Sequence, residues 1–183
     1  MPRRSRFERE LRDAGVIEEG EFTAHNGETG NRKVNLETIL SAESPNPALT
    51  RGVINDLASR LEPHKPEIVV PIPEGANYLG AVVARELGAR IVRLAWSDKQ
   101  NHKLDYERHH DRIVIARAQV VAILDDVFRT GSSFEEAMNF LELKNKTVVG
   151  GVVWDRSKDG AKRVLRMPVE SVVESYLPLR VDE

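Results

Sequence analysis

Short apolar segments that alternate with helical patterns are the feature of this sequence that most limits its fold. Each segment is apolar over nearly its whole length, and helical patterns such as YLGAVVARELG (78–88) and SSFEEAMNFLELK (132–144) follow two of them. The segments that we interpret as strands are EIVVPI (67–72), ARIVRLA (89–95), RIVIAR (112–117), QVVAILDD (119–126) and TVVGGVVWD (147–155). Strands of this kind, alternating with helices, are typical of a parallel sheet covered on both faces. The sequence therefore predicts an α/β fold.

The remaining segments predict two more helices and two irregular regions. Apolar residues four apart predict a short helix in SRFERELRDAG (5–15) and a longer one in PNPALTRGVINDLASRLEP (45–63). The glycine-rich stretch 18–33 predicts a loop, and a short strand or edge segment is expected to begin at Val34. Residues 97–112 are polar without a clear period, which is long for a connection, so we expect a functional mobile loop or a hairpin.

Composition narrows the class of protein. A chain of 183 residues with 40% hydrophobic residues fits one domain, and a formal net charge of −2 gives no general attraction to nucleic acid or an anionic membrane. No apolar run approaches the roughly 20 residues that a membrane-spanning helix needs. The chain has no cysteine, which excludes disulfides, zinc–thiolate sites and cysteine nucleophiles. We therefore expect a cytoplasmic enzyme or regulator.

Two adjacent aspartates, Asp125 and Asp126, follow the apolar run VVAIL. Successive side chains on a strand point to opposite faces, so both acids can serve one ligand only if the strand ends there and the chain turns. Ser132 with Glu135, or Ser133 with Glu136, fits a capping box, which predicts a helix beginning near Ser132. The unpaired amides and positive dipole end of a helix start form a place for an anion. The pattern predicts a carboxylate pair beside a phosphate site at the sheet edge where ligands bind.

The chemistry of this arrangement favours a phosphorylated ribose. With reference pKa values of about 4, both carboxylates are expected to be ionised near neutral pH, so they suit sugar hydroxyls and hydrated Mg²⁺. One alternative is a polar strand end followed by an ordinary helix cap, although a cap needs only one oxygen. Another is an acidic Mg²⁺ pocket of the receiver type, in which the acid pair follows the first strand; here the pair lies two-thirds along the chain.

The segment AILDDVFRTGSS (122–133) resembles the phosphoribosyl-pyrophosphate (PRPP) motif of the type I phosphoribosyltransferases. Over most of the chain, the order of elements resembles the orotate phosphoribosyltransferases, with GEFTAHNG (20–27) and VVPIPEGANYLGAVVARELG (69–88) as further matches. The resemblance implies a single domain, 1–183, with a central, mostly parallel sheet flanked by helices. It also implies a small hood region to which 1–40 and 155–183 contribute.

The resemblance also implies which residues form the site. A base-binding role falls on His25, where the family has a lysine, and on Arg156 in VVWDRSKDG. The matches to the family's catalytic loop are Lys99, His102 and Lys103; a solvated loop position is the alternative for His102. The residues implied to bind PRPP are Asp125, Asp126, Arg129, Thr130, Gly131, Ser132, Ser133, Glu74 and Gly75.

Some of these residues depart from the family pattern. Arg129 stands where threonine, alanine or aspartate is usual, and Glu74 stands where orotate enzymes commonly have a lysine. The implied function is transfer of phosphoribosyl from PRPP to a heterocyclic base, orotate-type first, by a homodimer. Mg²⁺ is implied to bind mainly through PRPP, with Asp125 and Asp126 as further ligands. The alternatives are a PRPP sensor without catalysis and an enzyme for a purine or another base.

Four aromatic or histidine positions have simpler interpretations. Trp96 and Trp154 each end an apolar strand, which favours packing in the core or at its rim over stacking on a base. His109 and His110 are neighbours without a further ligand at suitable spacing, so we do not expect zinc there.

Overall fold

The computed structural model describes residues 6–23, 29–98, 103–157 and 167–178. The helices are α1 (Arg6–Asp13), α2 (Pro47–Leu61), α3 (Asn77–Leu87), α4 (Asp111–Arg117) and α5 (Ser132–Phe140). The strands are β1 (Ile17–Thr23), β2 (Thr29–Val34), β3 (Ile68–Pro71), β4 (Arg90–Ile91), β5 (Leu94–Asp98), β6 (Lys103–Tyr106), β7 (Val120–Phe128), β8 (Thr147–Asp155) and β9 (Val169–Glu174). Short 3₁₀ turns lie at Glu62–His64 and Leu143–Asn145.

The central sheet has five strands in the order β4-β3-β7-β8-β9, and every adjacent pair is parallel. β3 and β7 lie side by side, with Pro71 opposite Leu124, so the loop after β3 meets the double aspartate of β7. Two antiparallel hairpins, β1–β2 and β5–β6, form separate sheets. The predicted α/β fold with a central parallel sheet is confirmed.

Two glycines in β8 allow helices to pack closely on both faces of this sheet. A Cβ atom at Gly151 would lie 2.6 Å from Leu124 Cδ2 and 3.1 Å from Leu61 Cδ1 of α2. A Cβ atom at Gly150 would lie 3.0 Å from Phe134 Cε1 of α5. Because neighbouring strand residues face opposite sides, the two glycines serve the two helical layers. These contacts explain why the sequence places GG inside an otherwise apolar strand.

Three predictions about single elements are wrong. RIVIAR lies entirely in helix α4, where only Asp111 and Ile115 are buried, and this spacing of four is helical; a short apolar run alone does not separate helix from strand. ARIVRLA is divided between β4 and β5. The stretch expected to be a loop before Val34 contains β1 and most of β2, where ion pairs join Glu19 to Arg32 and Glu18 to Lys33.

The polar segment 97–112, predicted as a loop or hairpin, contributes to the β5–β6 hairpin. Its residues 97–98 end β5, and its residues 103–106 form β6. Trp96 pairs with Leu104, and the register shifts between Trp96 and Asp98. Residues 169–174 of the carboxyl-terminal tail add β9 beside β8. The single domain 1–183 and the hood from 1–40 and 155–183 stay predictions. Within the described ranges, no helix is both long enough and apolar enough to span a membrane.

Candidate active site

A cavity of about 590 Å³ opens at the carboxyl ends of β3 and β7. Both Asp125 and Asp126 face it, together with residues of the loop after β3 and of the first two turns of α5. Its lining residues are Ile72, Pro73, Glu74, Gly75, Trp96, Asp125, Asp126, Val127, Ser132, Ser133 and Glu136. The predicted meeting of a carboxylate pair and a helix start at one sheet edge therefore agrees with the geometry.

The expectation that the strand ends at the aspartates is wrong, because β7 continues to Phe128. Asp125 pairs with Val152 and Val127 pairs with Trp154, in the same parallel register as the rest of β7. The amide of Asp126 donates to Asp125 Oδ1 at 2.9 Å, and the amide of Val127 donates to Asp126 Oδ1 at 2.7 Å. These local side-chain bonds compete with regular pairing and let both carboxylates line one cavity.

The loop after β3 touches the acid pair directly. A Cβ atom at Gly75 would lie 3.0 Å from Asp126 Oδ2 and 3.2 Å from Asp126 Cγ, so only glycine leaves this carboxylate where it is. Glu74 is exposed at the same cavity. The backbone at Gly75 can thus approach a ligand that is held by Asp126.

Replacing Gly75 with alanine is expected to weaken the binding of the predicted ligand, Mg²⁺·PRPP, about tenfold, because the new methyl group displaces the Asp126 carboxylate by a few tenths of an ångström. Isothermal titration calorimetry measures this change. Gly52→Ala is the matched control, because its Cβ atom would lie 3.0 Å from Phe7 Cε1, outside the cavity lining. Equal affinities for Gly75→Ala and the original protein would contradict the role of this contact.

Helix α5 begins at Ser132 as predicted, but not through a capping box. Its N-cap is Gly131, with φ of 87°, and no side chain caps this helix start. The Thr130 and Ser132 hydroxyls lie 3.1 Å apart, and Ser132 and Ser133 line the cavity. A glycine N-cap suits the positive φ and keeps the first helical amides close to an incoming anion.

Carboxylates dominate the charge of the cavity. Its described lining includes Glu74, Asp125, Asp126 and Glu136 but no lysine, arginine or histidine. Burial, and then the charge of Asp126, raise the pKa of Asp125 well above its usual value. A polyphosphate beside this acid pair is therefore favoured when cations accompany it. Across the described ranges, no group of three or more His, Cys, Asp or Glu residues could hold a metal ion by itself.

The other predicted site residues either do not line this cavity or lie outside the described ranges. His25, Lys99 and His102 lie outside the described residues, so their roles stay predictions. Lys103 is exposed as the first residue of β6, and its carbonyl accepts from the Ser97 hydroxyl at 3.1 Å. Arg129 and Thr130 directly follow β7, and neither lines the cavity.

Arg156 has structural contacts that the sequence did not indicate. It is 4% exposed, and its guanidinium donates to the Leu177 carbonyl from Nε at 3.1 Å and from Nη2 at 2.8 Å. Burial, and then the positive charge of Arg129, lower the pKa of Arg156. The two arginines are thus neighbours near the end of β7. The base-binding role of Arg156 stays a prediction.

Five lining residues were not among the predicted site residues: Ile72, Pro73, Trp96, Val127 and Glu136. Glu136 lies three residues after Ser133 on α5, a helical spacing that could have indicated a shared face with the cavity. Trp96 comes from the β5–β6 hairpin, whose long-range packing has no local signal in the sequence. It lies at the cavity wall, whereas Trp154 is fully buried in the core.

Known proteins share both the sequence pattern and the fold. The orotate phosphoribosyltransferase of Desulforamulus reducens is 28% identical over 167 residues, which is 90% of this chain and 82% of that protein. That of Thermotoga maritima is 29% identical over 170 residues, covering 92% and 84%. No family model matches the chain.

Solved structures extend this similarity. The orotate phosphoribosyltransferase of Aeropyrum pernix superposes with a TM-score of 0.65 at 20% identity, covering 91% of this chain and 92% of that one. The adenine phosphoribosyltransferase of Thermoanaerobacter pseudethanolicus has a TM-score of 0.67 at 18% identity, covering 91% and 99%. The chain has the type I phosphoribosyltransferase fold. The predicted resemblance to orotate phosphoribosyltransferases is confirmed, and in this type I fold the cavity lies where β3, β7 and α5 meet.

Proposed function

We propose that the protein is a phosphoribosyltransferase that transfers the 5-phosphoribosyl group of PRPP to a heterocyclic base, with orotate as the favoured acceptor, and releases pyrophosphate. One observation carries the proposal: the paired carboxylates of β7 and the glycine-capped start of α5 line the same cavity. The similarity to orotate phosphoribosyltransferases over nine-tenths of the chain supports it. A ligand with a diol beside a phosphate matches this combination of groups.

Each part of PRPP has a counterpart in the cavity. Asp125 and Asp126 accept hydrogen bonds from the ribose hydroxyls, and the amides that follow Gly131, with the hydroxyls of Ser132 and Ser133, bind the 5′-phosphate. The backbone at Gly75 approaches the pyrophosphate, since this residue is already in contact with Asp126. Glu74 on the same loop repels that group unless a cation lies between them.

Mg²⁺ is the cation that we propose accompanies PRPP. Carboxylate oxygens suit this metal, and with few protein ligands Mg²⁺ commonly binds through substrate phosphates. When bound, it supplies positive charge that stabilises the departing pyrophosphate. The described lining contributes negative charge only, so this chain has a physical reason to take PRPP as its metal complex.

The proposed reaction is a displacement at the anomeric carbon. A ring nitrogen of the base, which gives up its proton to solvent, forms the new bond to C1 while the C1–oxygen bond to pyrophosphate breaks, and that electron pair leaves on pyrophosphate. Positive charge on the ribose is stabilised by Asp125 and Asp126, as in glycoside chemistry. Negative charge on the leaving group is stabilised by backbone amides near Gly75 and by Lys103, with Lys99 and His102 as further predicted loop residues.

Two other candidate functions each have an observation in their favour. An adenine phosphoribosyltransferase of Natranaerobius thermophilus is 29% identical over 116 residues, 57% of this chain and 67% of that protein, which favours a purine acceptor. Glu74, placed at the cavity where orotate enzymes commonly have a lysine, favours a PRPP sensor without catalysis, because that position offers no cation to stabilise departing pyrophosphate. We further propose a cytoplasmic homodimer, to be checked by analytical ultracentrifugation.

The test is to incubate the protein with PRPP, Mg²⁺ and a panel of bases while pyrophosphate release is followed. Orotate is expected to give the fastest release, and adenine, hypoxanthine, guanine and uracil are the comparison bases. PRPP binding in calorimetry without release for any base would identify a sensor. Absence of both binding and release would contradict the proposed function itself.

A further inference from the structure

Trp96 joins the β5–β6 hairpin to the loop that follows β3. Its indole N–H donates to the Pro73 carbonyl at 3.2 Å, and its side chain lines the cavity beside Pro73, Glu74 and Gly75. Within the hairpin, Trp96 pairs with Leu104, next to Lys103 at the start of β6. The indole therefore lies between a loop that contacts the acid pair and a strand that carries a predicted catalytic lysine.

The loop after β3 has weak internal hydrogen bonds. The amide of Ala76 donates to the Ile72 carbonyl at 3.3 Å, and the amide of Asn77 donates to the Glu74 carbonyl at 3.3 Å. Both distances lie at the long end of the hydrogen-bond range. A bond from outside the loop, such as that of Trp96 to Pro73, thus has a large share in fixing its position.

The position of this loop limits the space available to the Asp126 carboxylate. Gly75 lies so close to the Asp126 carboxylate that a single added methyl group would be 3.0 Å from Oδ2. A shift of the loop by a few tenths of an ångström therefore changes the space available to that carboxylate and to any ligand beside it. The hydrogen bond of Trp96 does not reach Asp126. Trp96 is connected to the acid pair through the loop that contains Pro73 and Gly75.

Core packing alone does not account for the indole N–H. The ring of Trp96 is half-buried and packs against the apolar cluster on the α5 face of the sheet, a role that phenylalanine could fill. Trp154 offers the comparison: it is fully buried, and its N–H donates to the Ser175 carbonyl at 3.0 Å, away from the cavity lining. Of these two indole bonds, that of Trp96 is the one that holds a loop of the candidate site.

We propose that Trp96 is a positioning residue, whose N–H···O=C bond to Pro73 fixes the Pro73–Gly75 loop against the Asp126 carboxylate and so sets the affinity for the pyrophosphate end of the substrate. The part of this inference that concerns substrate affinity rests on the proposed function. The part that concerns the loop depends on the protein alone.

The first test is hydrogen–deuterium exchange of the unliganded protein, comparing Trp96→Phe with the original chain. Phenylalanine keeps an aromatic ring but removes the donor, so exchange at Ala76 and Asn77 is expected to become about threefold to tenfold faster, while peptides from β8 stay unchanged. Trp154→Phe is the matched control, because it also removes one indole bond to a backbone carbonyl. In that variant the amides of Ala76 and Asn77 should exchange as in the original protein, even if peptides from β8 exchange faster. Unchanged loop exchange in Trp96→Phe would overturn the proposal.

The second test uses substrate and ligand. In Trp96→Phe, the KM for PRPP is expected to rise about threefold to tenfold with a smaller change in kcat, because the loop is misplaced while the reacting groups remain. In Trp154→Phe, Mg²⁺·PRPP should still change the tryptophan fluorescence, and in Trp96→Phe that change should be lost. A fluorescence change that persists in Trp96→Phe, or an unaltered KM, would refute the link to substrate. If the original protein neither binds nor uses PRPP, the proposed function fails, and the exchange experiment still decides the role of Trp96 in the loop.

Discussion

Replacing Asp125 and Asp126 together with asparagine is expected to weaken PRPP binding strongly while making the unliganded protein more stable. Each charge-assisted bond to a ribose hydroxyl contributes about 1.5–3 kcal/mol, so losing both should weaken binding roughly 10²- to 10⁴-fold in calorimetry. Asparagine keeps an acceptor oxygen for the amides of Asp126 and Val127, and the local backbone should therefore persist.

The stability gain has a pH signature. Burial and the neighbouring Asp126 raise the pKa of Asp125 in the folded state, so the folded protein binds this proton more tightly than the unfolded chain. The charged carboxyl then costs stability above its folded pKa, and this cost disappears as the pH falls below the unfolded value of about 4. We expect the double variant to melt roughly 2–6 °C higher near pH 7–8, with a difference that shrinks toward pH 4.

Thermal melts across pH 4–8 measure this difference, and Asp105→Asn is a suitable control because Asp105 lies on β6 outside the cavity lining. A double variant that binds PRPP normally would contradict the assignment of the acid pair. A double variant that melts lower at pH 8 would contradict the account of the buried charge.

Replacing Lys103 with alanine is expected to lower kcat about 10²- to 10³-fold and to leave PRPP affinity nearly unchanged. Lys103 is exposed at the start of β6, where it can approach charge that develops on departing pyrophosphate. A donor that acts mainly on the transition state affects turnover more than ground-state binding. Single-turnover rates and calorimetric affinity, measured on the same preparation, separate the two effects.

Lys146→Ala provides the control for Lys103, because the Lys146 amine donates to the carbonyls of Ala116 and Ala118, outside the described cavity lining. That variant should retain its single-turnover rate. A normal rate for Lys103→Ala would remove this residue from the proposed mechanism.

The parallel core was predictable because its signals are local. Residues 67–72, 119–126 and 147–155 are apolar over lengths that suit strands, and the serines after Gly131 mark a helix start. The same local reasoning failed for residues 112–117, because a short apolar run fits a strand as well as a helix. These residues form a helix in which only Asp111 and Ile115 are buried, a pattern that the apolar run does not reveal.

The acid pair was predicted to share a ligand, but for an incomplete reason. The chain does not turn at Asp125 and Asp126; β7 continues to Phe128, and the two carboxylates accept bonds from the next amides along the chain. The partners of Trp96 and the buried bonds of Arg156 were not predictable, since they join segments that are 23 and 21 residues apart. Such contacts depend on the packed fold and leave no spacing in the sequence.

Carboxylates are the only charged side chains in the described lining of the cavity, and this has a consequence for how the protein would respond to its ionic surroundings. Uncomplexed polyphosphates should bind poorly beside Asp125 and Asp126, whereas the same molecules with their charge neutralised can enter. Free nucleotides would then compete poorly with substrate even where they are abundant. Sequestering divalent ions with a chelator should resemble substrate starvation, and raising total PRPP without those ions should not restore the rate.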